Sequence, residues 1–76
     1  MALEATVNRD GIHRIVLEQY QEGVYVYVFK TPQSKWPEED HLQDDFDMAK
    51  LACKDDYGIS ESDWHAIPDT GIHGPH

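Results

Sequence analysis

The chain has 76 residues, with fifteen acids against six lysines and arginines and a formal net charge of −9. That length allows one domain with a thin core. That charge argues against nucleic acid, or any polyanion, as a partner. The charge is also unevenly placed. Residues 1–37 balance their acids and bases, whereas residues 38–76 set eleven acids against Lys50 and Lys54 and carry the whole net charge. Cys53 has no second cysteine to pair with, which points to a reducing compartment. No apolar run reaches the roughly 20 residues that span a bilayer. The start, MALEATVNRDG, lacks the charged-then-apolar pattern of a secretion signal. A cytoplasmic protein without membrane contact is the expectation.

Residues 3–7 form a short candidate strand, closed by the Asp10-Gly11 turn signal. Residues 12–20 are rich in β-branched side chains. Gln21-Glu22-Gly23 makes a second turn, and residues 24–31, VYVYVFKT, give the clearest strand signal in the chain. Pro32 ends that hairpin, because it has no N–H for a ladder. A connector follows to Pro37. Then comes a helix, starting either at Pro37, with Glu38, Glu39 and Asp40 at the positive end of its dipole, or at Asp40 as a cap with Gln43. Leu42, Phe46, Ala49, Cys53 and Tyr57 recur at helical spacing, and Gly58 is the stop. Met48 and Leu51 fall off this stripe, and the segment bearing Ile59, Trp64 and Ile67 is expected to cover them. Ser60-Glu61-Ser62-Asp63 reads as a capped helical turn, and the same region reads equally as a strand ending at Pro68. Residues 69–76 read as a disordered tail, leaving 1–68 as the domain.

The resulting fold class is α+β: a two- or three-stranded antiparallel meander packed on one amphipathic helix, closed by a short C-terminal strand or helical turn. The expected core is Ile15, Leu17, Val24, Val26, Val28, Leu42, Phe46, Ala49, Cys53 and Trp64. Period-two geometry puts the three valines of the VYVYVF run on one face and Tyr25, Tyr27 and Phe29 on the other. Both faces are therefore apolar. Only one of them can meet the helix.

The chemistry-bearing residues form no catalytic constellation. Cys53 falls on the apolar stripe, where burial is expected. The serines stand in turns without an adjacent base, and no glycine-rich phosphate loop is present. No enzyme activity and no cofactor are expected. Two readings of function remain. In the first, the protein is a small acidic interaction module that binds a basic protein, or a second copy as a homodimer. Tyr25, Tyr27 and Phe29 supply its aromatic contacts and Asp44, Asp45 and Asp47 its charge. The second is a metal- or small-ligand-binding accessory domain. It uses His41, Asp44 and Asp45, which share one side of a helix at i, i+3 and i+4, with His73 and His76 as further ligands.

Overall fold

The computed structural model describes residues 1–72. Strands β1 (Ala2–Arg9), β2 (Ile12–Tyr20) and β3 (Gly23–Phe29) form the expected meander. Two further strands extend it, β4 (Glu39–Gln43) and β5 (His65–Ile67), around a single helix α1 (Phe46–Tyr57). The sheet order is β4-β3-β2-β1-β5 and every pairing is antiparallel. The architecture is α+β as read from the sequence, with five strands in place of two or three.

The largest departure lies at residues 38–45. The sequence places them in the helix, but residues 39–43 pair with β3 from Val28↔Glu39 to Val24↔Gln43. A strand cannot keep helical spacing, so Leu42 loses its i, i+4 relation to Phe46. It stands opposite Tyr25 instead, 50% exposed, and is not part of the core. Glu38, Glu39 and Asp40 accordingly lie outside the helix N-terminus. The cap is Asp45: its backbone is extended, and its Oδ1 accepts the Met48 N–H at 2.9 Å. At the other end Gly58 takes a left-handed φ of 69° and donates its N–H to Lys54 O at 3.0 Å, closing the helix where expected.

Gly23 has a separate role. Its φ is 149°, and a Cβ there would sit 2.4 Å from the Gln43 carbonyl oxygen. The close approach of β4 to the start of β3 depends on that missing side chain.

After the helix, the two alternatives left open by the sequence occur in succession. Glu61–Asp63 form a 3-10 turn, in which the Ser60 N–H donates to Asp63 Oδ2 at 2.8 Å. β5 then pairs with β1 and ends before Pro68. This segment does not cover Met48 and Leu51, which stay exposed. It buries Ile59 and brings Trp64 to the margin of the core.

Against α1 the sheet presents Leu3, Ala5, Val7, Ile15, Leu17 and the three valines of β3, packed on Ala49, Cys53 and Ile59. Phe46, Tyr57 and Trp64 are only partly buried at the edges of this cluster. The opposite face is also closed. Val16, Tyr27 and Phe29 form a second buried cluster, joined by Ile67 and Ile72 from the C-terminal segment. The Arg14 guanidinium lies 3.8 Å from the Phe29 ring centroid, a cation–π contact. Glu18, 2% exposed, holds the segment in place. Its carboxylate accepts the Thr70 N–H at 2.8 Å, the Thr70 hydroxyl, and the Gly71 N–H at 3.5 Å. Of the tail expected over 69–76, residues 69–72 thus lie along the sheet, and 73–76 fall outside the described residues.

Candidate interaction surface

The aromatic residues expected to contact a partner do not form an open platform. Tyr27 and Phe29 are each 1% exposed, sealed by the C-terminal segment. In this arrangement they serve the fold, and their assignment as partner contacts is corrected. Burial, and next the Tyr20 hydroxyl, push the Tyr27 phenol above its ordinary value. Tyr25 remains half-buried. Its ring stacks on Tyr27 at 5.9 Å between centroids, and Tyr20 meets it edge-on at 5.6 Å.

The acidic residues divide by role. Asp45 is occupied as the helix cap, and Asp47 lies in the first helical turn, where a negative charge is favourable. Glu38 and Glu39 are engaged with the β3–β4 connector. Glu38 accepts the Lys30 N–H at 3.1 Å and the Ser34 hydroxyl at 2.6 Å, while Glu39 pairs with Lys30 Nζ at 3.0 Å. Asp40, Asp44 and Asp47 are different. They are exposed, and among the described residues none of them makes an ion pair.

Asp40 and Leu42 stand opposite Tyr27 and Tyr25 on the sheet face away from the helix. Asp44 and Asp47 follow along the chain into α1. The outcome is an acidic corner running from Asp40 to Asp44, with an exposed leucine and a half-buried tyrosine beside it, while Asp47 lines the groove between α1 and the 3-10 turn with Lys50 and Lys54. Leu42 was missed as a surface residue because a leucine four positions before a phenylalanine looks like a helix stripe. Trp36, 68% exposed in the Pro32–Pro37 connector, is another exposed apolar side chain, with no sequence signal beyond the Pro37 that follows it.

The proposed metal ligands are not brought together. His41 lies on β4, with Nε2 3.4 Å from Glu39 Oε1, and Asp45 is used by the helix. Their helical spacing does not exist. Among the described residues no three or more His, Cys, Asp and Glu side chains gather as a metal site. His73 and His76 lie outside the described residues. Cys53 is buried, and desolvation with the Asp56 charge pushes its thiol up to about 12.

Two grooves flank the helix. One, of about 140 Å³, runs between α1 and β4 and is lined by His41, Gln43, Asp56 and Tyr57 over Cys53. The other, of about 360 Å³, lies between α1 and the 3-10 turn. Leu51 and Trp64 line it, and a Lys50–Glu61 ion pair of 2.8 Å lies beside them. Among the described residues no helix is long and apolar enough to cross a membrane. No family model, no curated protein and no solved structure matches this chain.

Proposed function

We propose that this protein is a small acidic interaction module that engages a basic protein partner through the corner that runs from Asp40 to Asp44. The observation that supports this reading most is the two exposed carboxylates that bracket the exposed Leu42 in the chain, Asp40 and Asp44, neither of which makes an ion pair among the described residues. Both belong to the run of acids over residues 38–47, which contains no lysine or arginine, so like charge accumulates there in the free protein. A cationic surface would relieve that repulsion, and Leu42 with Tyr25 supplies apolar area at the centre of the contact. Charged rims of this kind set association rate and partner choice more than they set tightness.

The experiment is affinity capture and kinetics with the full chain and with an Asp40→Asn, Asp44→Asn variant. A basic protein is expected to be retained by the first and lost by the second. Its association should slow steeply between about 0.05 and about 0.5 M salt. A partner whose association ignores both the salt and the substitutions would remove this surface from consideration.

A further inference from the structure

We propose that the basic partner binds by adding a β-strand to the outer edge of β4. The inference rests on the reading of the acidic corner given above and specifies the form the partner takes.

Among the described residues β4 pairs only with β3, so no strand lies beside the backbone groups of its outer edge. Natural sheets blunt such edges with lysine, proline, bulges or shortness. The other edge follows this rule: β5 has three residues and stops at Pro68. β4 does not. It runs five residues in unbroken register with β3, and it contains neither proline nor lysine. The one device present is negative charge, and that device repels acidic strands while attracting basic ones.

The charge pattern also describes the occupant. Side chains alternate between faces along a strand. On the face away from the helix, β4 presents Asp40 and Leu42 in turn, and Asp44 follows in the bend after the strand. An added strand would place side chains opposite these two, and the complement is a cation against Asp40 and an apolar residue against Leu42. On the helix side it would meet Glu39, His41 and Gln43, which suit small polar side chains. A second copy fits poorly. Each chain carries −9, and residues 38–49 contain no lysine or arginine to offer. The occupant is therefore an extended segment of another protein, with a lysine or arginine two positions from an apolar residue. Main-chain hydrogen bonds would hold it, and the alternating side chains would select it.

The test uses the isotope-labelled full chain and a short synthetic peptide repeating Lys-Thr-Val-Thr. Two derivatives accompany it, one N-methylated at every threonine and one at every lysine and valine. The parent peptide is expected to shift and protect from exchange the amides of residues 39–43. One derivative, with its N–H groups removed on the bonding edge, should bind about 10-fold more weakly or worse, while the other keeps its affinity. If all three bind equally, with affinity that falls as salt rises, strand addition is wrong and the acidic-surface reading survives. If none binds at low salt, both are wrong. Protection of the same amides in the chain alone at high concentration would assign the edge to a second copy and overturn the basic occupant.

Discussion

The two faces of the sheet are buried by different means, although β3 supplies both. On one side Val24, Val26 and Val28 meet a capped helix of twelve residues. On the other, Tyr27 and Phe29 meet a segment whose residues 69–72 have no regular structure, fixed by one buried carboxylate. A helix satisfies its own backbone, so it needs only an apolar stripe to dock. An extended segment brings unsatisfied N–H groups to the surface it covers, and something on that surface must accept them. Glu18 does so. Covering an apolar face therefore requires either a self-sufficient element or a polar receiver within the face.

The strongest way to break this comparison is to empty the aromatic side. Phe29→Ala removes a fully buried ring and should cost on the order of 3–5 kcal/mol, enough to unfold a domain this small. Phe46→Ala, at the partly exposed start of the helix, should cost clearly less. Thermal melts of the two variants decide the order. If Phe46→Ala proved the more damaging, the helix side would carry the greater share of the fold.

Glu18→Gln separates the covering segment from the rest. The amide keeps the size of the side chain but turns one acceptor into a donor facing the Thr70 and Gly71 N–H groups. The loss should be on the order of 1–3 kcal/mol, and it should be local. Amide exchange at Thr70 and Gly71 is expected to rise toward that of a free peptide while Ala49 and Cys53 stay protected. Release would expose Tyr27 and Phe29 together, so the variant should self-associate more readily than the parent chain. Uniform loss of protection across the helix and sheet would show that the segment and the core unfold as one.

How much of this was legible in advance varies along the chain. The meander was, because β-branched runs broken by Asp10-Gly11 and by the turn before Gly23 admit little else. So was the end of the helix at Gly58. The helix start was not. Residues 38–45 are rich in acids, which suit a helix N-terminus, and Leu42 completes a false stripe. Only pairing with β3, a contact outside that window, reveals the strand. The better local signal was Asp45 immediately before Phe46, a capping residue ahead of the first apolar position. Glu18 carried no usable signal, since a glutamate among apolar strand residues looks like an ordinary solvent-facing position and its partner is 52 positions away. At β4, the sequence assigned Leu42 to the interior, and the structure leaves it exposed.

A smaller effect sharpens the helix side. Cys53 is buried between α1 and the sheet, with its thiol pushed up to about 12 by desolvation. Almost no thiolate exists at neutral pH, so labelling by thiol reagents should wait for unfolding. The rate should therefore follow global opening and be nearly unchanged by Glu18→Gln. Fast labelling of the folded protein would mean that the helix lifts from the sheet independently of the aromatic face.

The smallest effect concerns neither face but the connector that leads to β4. Glu38 is exposed, and its carboxyl lies below its ordinary value of 4.5, first because the Ser34 hydroxyl donates to it and then because the Lys30 N–H does. The sign follows from linkage. A group whose folded pKa is lowered contributes stability that is complete above its unfolded value and is lost as pH falls through the folded one. The connector should hold its shape at pH 5 and above and loosen only in more acidic solution, below 4.5. Trp36 lies between Ser34 and Glu38, so its fluorescence and the Lys30 and Ser34 amide shifts should report the change. Ser34→Ala removes the larger cause and should move the midpoint up toward 4.5, with little effect on the melting temperature. A midpoint in the parent chain at or above that value would show that Glu38 does not brace the connector in solution, and that β4 is placed by its pairing with β3 alone.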